Sequence, residues 1–242
     1  MLIAAKQIHG CSIEGPGGVF GKVRDLLFDG ESWKVRYLDV DTDGWLRGHR
    51  VLLAPEAIQC TDYAAQRLGT PMTREQVEAS PPLESHLPVS RKQEIEEAQY
   101  MAWEAYWAHV EPAPAEIGTG ADAKVHSTHA VSRFHIETAD GKSRHVDDFI
   151  IDDRALEGVP WEIRYLVVDV RHWLPGKQVL ICPRWAEAID WGTRRVSVRL
   201  TREMIENSPE YHPDAPINRR YEEVCHDFYG RPADWAETPH HV

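Results

Sequence analysis

The chain has 242 residues, of which 42% are hydrophobic, and a formal net charge of −12. This composition is typical of a soluble globular protein with enough apolar residues for two modest cores. The acidic charge argues against a protein that binds nucleic acid or anionic membranes through its charge. No segment approaches the ~18 consecutive apolar residues of a membrane span. We therefore expect a cytoplasmic protein with no nucleic-acid partner and no membrane insertion.

An internal repeat covers most of the chain. Residues 33–55 match residues 161–183 at a constant offset of 128, and twelve of these 23 positions are identical. Upstream, residues 25–29 match residues 148–152 at an offset of 123. The second copy therefore holds five extra residues, which we place in the loop 153–160, because insertions fall in surface turns.

The repeat continues downstream of these strands. Ala57-Ile58 matches Ala188-Ile189 with a shift of three residues, after which the offset of 128 returns and extends into the tails. The repeated object is thus a β-rich unit together with its tail. We predict four segments: a first unit (1–81), a helical tail with a flexible linker (82–123), a second unit (124–209) and a second tail (210–242).

The predicted strands of the first copy are short and separated by turn residues. Residues 23–28 and 33–41 flank the turn 29–32, whose Asp-Gly pair is typical of a hairpin. Further short strands are predicted over residues 51–54, ending at Pro55, and within 65–70. Several short strands separated by such turn residues favour a small closed barrel.

The strand 33–41 carries apolar residues on both faces. Trp33, Val35 and Tyr37 lie on one face, and Leu38 and Val40 on the other. A strand with two apolar faces needs cover on both, so we predict that the sister barrel covers the second face in an internal pseudo-dimer. Exposure of Leu38 and Leu166 would contradict this. The predicted core of the repeat comprises Trp33, Tyr37, Leu38, Trp45, Trp161, Tyr165, Leu166 and Trp173.

Each unit is followed by an aromatic tail. In the first, Ser90 with Gln93 has the spacing of a capping box and starts a helix that ends near Val110. The second predicted helix ends at Gly230, a residue typical of helix C-caps. Such aromatic stripes favour a helix docked on its own barrel, and the alternative is a surface that binds a protein partner. The candidate partner-binding residues are Tyr100, Trp103, Trp107, Tyr221, Phe228, Tyr229 and Trp235.

Metal-binding patterns are weak. Asp39, Asp41 and Asp43 resemble the start of a calcium loop, but position twelve, which needs a glutamate, is Arg50. We interpret these aspartates as strand-end and turn residues. His126, His129 and His135 form the closest histidine group, and we expect them to be solvated.

Catalytic patterns are weak too. Cys182 is interpreted as a small buried residue, and the glycine-rich segment 15–18 as a hairpin turn. We expect Asp25 and Asp148 to accept backbone hydrogen bonds at a turn. Both copies also carry an arginine (Arg36 and Arg164) and an aspartate (Asp41 and Asp169) at equivalent positions. We predict that these charged residues form structural ion pairs across the barrel. No catalytic residue, metal or cofactor is assigned.

Three segments of each copy carry a family resemblance. Residues 21–29, 33–40 and 51–55, and in the second copy 148–152, 161–169 and 179–183, resemble the PRC-barrel domain. That domain is named for the cytoplasmic domain of the photosynthetic reaction-centre H subunit and also forms the C-terminal domain of the ribosome maturation factor RimM. The tails resemble those of stand-alone tandem PRC-barrel proteins. The resemblance implies a closed barrel of about six strands per copy and a docking or assembly module without catalytic residues.

We therefore expect a mainly β fold with helical tails, in which two small PRC-type β-barrels in tandem pack as a pseudo-dimer. The favoured function is a non-enzymatic scaffold or adaptor that binds a protein partner, and a homo-oligomer is left open. One alternative is a sensor that binds a small molecule or metal in the groove between the barrels, near loops 153–160 and 15–18. Another is a soluble relative of the reaction-centre H subunit linked to photosynthetic electron transfer. An enzyme is the least favoured class.

Overall fold

The computed structural model describes residues 1–42, 50–80, 125–141, 143–154, 160–170 and 177–231. These residues form a mainly β structure with two sheets, as the sequence predicts. Within the described part of the chain, no helix is long and apolar enough to span a membrane.

In the described part of the first repeat there are seven strands and two helices, with one turn of 3₁₀ helix after the fifth strand. These elements are β1 (Leu2–Ala4), α1 (Ala5–Ile8), β2 (Ser12–Gly15), β3 (Gly18–Asp29), β4 (Val35–Asp41), β5 (Arg50–Leu53), the 3₁₀ turn Pro55–Ala57, β6 (Cys60–Asp62), β7 (Arg67–Gly69) and α2 (Arg74–Ala79).

The second repeat follows the same order and adds a short strand and a longer helix at its end. Its elements are β8 (Val125–Ser127), α3 (Thr128–Val131), β9 (His135–Glu137), β10 (Ser143–Asp152), β11 (Glu162–Asp169), β12 (Gln178–Ile181), the 3₁₀ turn Pro183–Trp185, β13 (Ala186–Asp190), β14 (Arg195–Val198), α4 (Arg202–Asn207), β15 (Glu210–Tyr211) and α5 (Arg219–Tyr229).

The predicted hairpin of the first repeat is present, because β3 and β4 pair antiparallel. The turn is longer than predicted, since β4 begins at Val35 and not at Trp33. The Asp29 carboxylate accepts hydrogen bonds from the backbone N–H groups of Glu31 (3.0 Å) and Ser32 (2.8 Å). Trp33 then takes a left-handed conformation (φ 60°), and its ring stacks on Phe28. The turn therefore extends through Trp33.

The glycine-rich segment of the first repeat forms a hairpin, which confirms its interpretation. Gly15 pairs with Gly18 at the tip between β2 and β3. Gly18 has φ 94°, a conformation that glycine adopts without strain. The predicted strand within residues 65–70 is β7, which lies parallel to β2.

The first strand of each repeat lies in the sheet of the other repeat. β1, which we call the first arm, pairs antiparallel with the end of β10. β8, which we call the second arm, pairs in the same way with the end of β3. The start of each long strand pairs with its own repeat, through β2 on β3 and β9 on β10.

This exchange divides the described residues into two compact units that each contain parts of both repeats. The N-unit takes its residues from Ala5–Ala130 and Asp153–Glu162, and the C-unit from Met1–Ala4, Val131–Asp152 and Ile163–Val242. The sheet of the N-unit has the order β5-β4-β3-β2-β7-β6, with the second arm on β3. The sheet of the C-unit has the order β13-β14-β9-β10-β11-β12-β15, with the first arm on β10. Among the described residues neither ladder of strands closes on itself.

The structure corrects one part of the repeat alignment. The shift of three residues at Ala57-Ile58 is wrong, because the offset of 128 holds from the 3₁₀ turns through the following strands. β6 pairs with β7 at Asp62↔Arg67, and β13 pairs with β14 at Asp190↔Arg195. The matching Ala-Ile pairs were therefore a coincidence of two common residues.

The predicted core positions that the structure describes are all buried. They are Trp33, Tyr37, Leu38, Trp161, Tyr165 and Leu166. Leu38 and Leu166 have no exposed surface (0%), so the exposure that would have contradicted a covered second face is absent. Trp45 and Trp173 lie outside the described residues.

Candidate functional site

Helix α5 is bounded by two capping residues. The side-chain oxygen of Asn218 accepts a hydrogen bond from the backbone N–H of Tyr221 (3.0 Å), which satisfies one free donor of the first turn. Gly230 ends the helix in the left-handed conformation (φ 62°, ψ 33°), as predicted for its C-cap. The sequence signal at Asn218 was present, but we had not assigned it.

One face of α5 is buried and held by polar contacts. Glu222, Cys225, His226 and Tyr229 are the buried residues of the helix. The hydroxyl of Tyr165, on β11, donates a hydrogen bond to Glu222 Oε1 (2.9 Å) and lies 3.2 Å from His226 Nε2. Buried polar groups that satisfy one another in this way fix a single packing geometry.

Aromatic rings complete this attachment. Trp185, in the 3₁₀ turn after β12, packs edge-on against His226 (5.2 Å between ring centroids) and at a tilt against Tyr229 (4.8 Å). Arg164 lies 3.9 Å from Glu222, so the buried carboxylate faces a positive charge as well as a hydroxyl donor. The helix is therefore anchored by contacts with β11 and the 3₁₀ turn.

Two of the anchoring groups, the Tyr165 hydroxyl and the Cys225 thiol, stay protonated near neutral pH because burial raises the pKa of each. Burial, followed by the negative charge of Glu222, raises the pKa of Tyr165 well above its usual range. Burial also raises the pKa of Cys225 to about 11. A thiol with a raised pKa has little of the thiolate that nucleophilic chemistry needs. The cluster is thus suited to holding the helix in place.

The opposite face of α5 exposes apolar residues. Val224 is 48% exposed and Phe228 is 39% exposed. They lie four residues apart, so both occupy the same side of the helix. Phe228 packs edge-on against the buried Tyr229 (5.1 Å between centroids), which restrains its ring. We call Val224 and Phe228 the outer patch of α5.

The predicted partner-binding residues of the second tail have different positions. Phe228 is exposed, Tyr221 is half-buried and Tyr229 is buried in the anchor. Val224, which precedes Phe228 by one turn of the helix, is also exposed and is not among the predicted candidates. Tyr100, Trp103, Trp107 and Trp235, together with the helix predicted from Ser90, lie outside the described residues.

Asp25 and Asp148 accept backbone hydrogen bonds as predicted, but they do so within strands β3 and β10 and not at a turn. Asp25 Oδ1 accepts from the N–H of Leu26 (2.8 Å), and Asp148 Oδ1 accepts from the N–H of Phe149 (2.9 Å). Asp25 also accepts hydrogen bonds from three residues that follow Val125 in the chain, which the sequence did not predict. These residues are Ser127, Thr128 and His129.

His9 lies beside Asp25 and Thr128, a set of side chains that invites comparison with a catalytic triad. Both Asp25 Oδ1 (3.9 Å) and Thr128 Oγ1 (3.4 Å) approach the same ring nitrogen, Nε2. In a triad the carboxylate and the hydroxyl contact different nitrogens of the ring. Thr128 is also buried and donates to Asp25. The arrangement is a structural hydrogen-bond network.

The three grouped histidines do not form one site. His126 is half-buried against Phe28 (6.1 Å), and burial lowers its pKa to about 4, so the expectation that it is solvated is wrong. His129 is exposed, as predicted, while His135 lies on β9 beside His145. Within the described ranges, no group of three or more histidine, cysteine or acidic side chains could hold a metal ion.

The aspartate-rich strand end has a structural role. Asp39 is buried and forms an ion pair with Arg50, the residue that stands at position twelve of the rejected calcium loop. Burial outweighs the guanidinium and raises the pKa of Asp39. Asp43 lies outside the described residues. Cys182 is buried, as expected for a small core residue.

The shared arginines form different ion pairs in the two repeats. Arg36 lies 3.6 Å from Asp29 in the first repeat, while Arg164 lies 3.9 Å from Glu222 of α5 in the second. In the loop 153–160, Asp153 is buried and accepts a hydrogen bond from the Tyr63 hydroxyl (2.6 Å). Residues 155–159 lie outside the described part of the chain.

No protein-family model matches the chain, and no curated protein matches it. Membership of the PRC-barrel family therefore stays a prediction from the sequence.

Proposed function

We propose that the chain is a non-enzymatic PRC-barrel-type scaffold or adaptor that binds a protein partner through the outer patch of α5. The observation that carries this proposal is the contrast between the two faces of one helix. The inner face is fixed by Tyr165, Trp185 and the buried carboxylate of Glu222. The outer face presents Val224 and Phe228 to solvent.

A rigid helix with an exposed apolar pair is suited to binding. Exposed apolar residues on a fixed element are typical anchors at protein interfaces. Because the anchoring cluster already holds the helix in place, little ordering would be needed on binding, which lowers the entropic cost of association. A docking role is also what the resemblance to the PRC-barrel family implies.

The proposal also includes the architecture of the two barrels. Two closed PRC-type barrels packed as a pseudo-dimer, in a cytoplasmic protein, would give the scaffold its rigid body. The full burial of Leu38 and Leu166 supports the covered second face that such packing needs.

The test is affinity purification from the native organism with mass spectrometry, using the wild-type chain and a Val224→Ser/Phe228→Ser variant as baits. Loss of both apolar side chains should reduce recovery of the specific partner by about tenfold or more, because truncating interface anchors costs more than ~1 kcal/mol each and about 1.4 kcal/mol is a factor of ten in affinity. Val19→Ser is the matched control, since Val19 is a 45% exposed apolar residue on β3 of the N-unit.

Two results would contradict the proposal. One is a specific partner recovered equally with the wild-type chain and the double variant, when circular dichroism shows that both are folded. The other is a purified chain that carries a stoichiometric small molecule or metal and captures no partner, which would favour the sensor.

A further inference from the structure

The two arms occupy equivalent places in the two sheets. In the C-unit, the first arm pairs in the register Leu2↔Asp152, Ile3↔Ile151 and Ala4↔Ile150. In the N-unit, the second arm pairs in the register Val125↔Asp29, His126↔Phe28 and Ser127↔Leu27. Every residue of one set lies 123 positions from its counterpart in the other. The exchange is therefore reciprocal, and both arms bind in the same register.

The second arm is held by apolar packing in addition to its ladder of hydrogen bonds. Val125 is buried in a cluster with Leu27, Tyr37 and Leu52, all from the first repeat. The next residue of the arm, His126, packs its ring against Phe28. A side chain of the second repeat thus completes the core of the N-unit.

Polar contacts fix the end of the same arm. Asp25, on β3, accepts hydrogen bonds from the hydroxyls of Ser127 and Thr128 (2.7 Å for Thr128) and from the backbone N–H of His129 (3.2 Å). Hydrogen bonds to a buried carboxylate are stronger than those between neutral groups. The end of β3 is therefore a built binding site for the strand of another repeat.

We propose that each acceptor edge, Leu27–Asp29 of β3 and Ile150–Asp152 of β10, is a recognition site for the first strand of a sister repeat. The two repeats recognise each other as subunits do, by adding a strand to an exposed sheet edge. The covalent linker raises their effective concentration but does not create the interaction. The occupant that fits each edge is a second copy of the same repeat.

The test cleaves the folded full-length protein. A protease recognition sequence replaces part of residues 112–124, the predicted linker, and complete cleavage is verified by mass spectrometry under denaturing conditions. We expect the two fragments to migrate as one 1:1 species with the mass of the intact chain, measured by size exclusion with light scattering at micromolar concentration. Fragments that separate without denaturant would overturn the proposal.

A pair of variants shows whether the arms hold the fragments together. Val125→Ala removes two buried methyl groups from the second arm and should weaken association of the cleaved fragments by about tenfold. Thr61→Ala is the matched control, because β6 is also a three-residue strand but pairs within its own repeat. It should leave the association unchanged.

Val125→Asp is the stronger variant, since a buried charge without a partner is costly. We expect its fragments to separate after cleavage while the uncleaved variant stays folded. If Val125→Ala and Val125→Asp fragments associate as tightly as wild-type fragments, the arms are not the recognition element.

Discussion

At the scale of single residues, His126 shows how the arm's environment changes a side chain. The sister arm carries Ile3 at the equivalent position, and both residues lie opposite an apolar residue of the acceptor edge. Burial lowers the pKa of His126 from 6.5 to about 4, although the nearby charge of Asp29 opposes the shift. The imidazole is therefore neutral in the folded protein over a range in which a free histidine is charged.

We predict that His126 makes the protein less stable in mild acid. His126 binds a proton near pH 6.5 in the unfolded chain and only near pH 4 in the folded chain. The contribution of its neutral side chain to the free energy of unfolding is therefore fully present above pH 6.5. It is lost as the pH falls toward 4. His126→Ile should remove this loss, so its free energy of unfolding, measured with urea, should exceed that of the wild type by more at pH 4.5 than at pH 7.

The control is His129→Asn, because His129 is exposed. Its stability should follow the wild-type pH dependence. His9, whose pKa is lowered mainly by burial, is present in both the wild type and His126→Ile and cancels in that comparison. If the free energy of unfolding of the wild type and of His126→Ile changed in parallel between pH 4.5 and 7, the prediction would be contradicted.

The contacts of Asp25 were predictable only in part. That Asp25 accepts a backbone hydrogen bond was predictable, because an aspartate recurs at the same place in both repeats, although it does so within β3 and not at a turn. The hydroxyl donors Ser127 and Thr128 come from more than 100 residues away. A single sequence carries no signal for such a pair, since neither local pattern depends on the other.

At the scale of secondary-structure elements, Tyr165 connects β11 to α5. Its hydroxyl is buried and donates to Glu222, whose carboxylate also faces Arg164. Hydrogen bonds to charged groups contribute about 1.5–3 kcal/mol each. This contact therefore stabilises the attachment of α5 to β11.

We predict that Tyr165→Phe lowers the free energy of unfolding by about 1.5–3 kcal/mol, because it leaves the buried carboxylate of Glu222 without this donor. Backbone amides of α5 should exchange with deuterium faster, which mass spectrometry would measure. Tyr221→Phe is the control, since its hydroxyl makes only a long hydrogen bond to the carbonyl of Pro209 (3.4 Å) and a contact with Cys225. Equal effects of the two variants would show that the Tyr165 contact has no special role.

The sequence predicted four of the seven strands that the structure describes in the first repeat, and it missed short elements such as β1 and β6. β5, β7 and the end of α5 at Gly230 follow from apolar runs bounded by turn residues. The start of β4 was misplaced because the Asp29 side chain extends the turn through Trp33. The anchor of α5 could not be read from the repeat, since Ala57 and Ala98 replace Trp185 and His226 at the offset of 128.

At the scale of the whole molecule, the strand exchange was beyond sequence analysis. A short apolar strand at the start of a repeat has the same pattern whether it pairs with its own sheet or with the sheet of its sister. The duplication itself was clear from matched tryptophans and tyrosines. Which sheet each arm joins depends on the course of the connecting chain, and periodicity does not report that course.

The course of the chain leads to a prediction about cooperativity. The chain passes between the N-unit and the C-unit four times, at residues 4–5, 130–131, 152–153 and 162–163. Unfolding of one unit therefore pulls directly on strands of the other, so we expect a single unfolding transition in urea. Ile3→Ala, which truncates a buried residue of the first arm, should lower the free energy of unfolding by about 2 kcal/mol.

Hydrogen exchange distinguishes coupled from independent units. If the units unfold together, Ile3→Ala reduces the protection of β4 in the N-unit as much as that of β11 in the C-unit, although Ile3 itself pairs only with β10. Fluorescence and circular dichroism should then report coincident urea transitions for both proteins. Loss of protection confined to the C-unit, or two separate transitions, would mean that the exchanged arms join the repeats without coupling their stability.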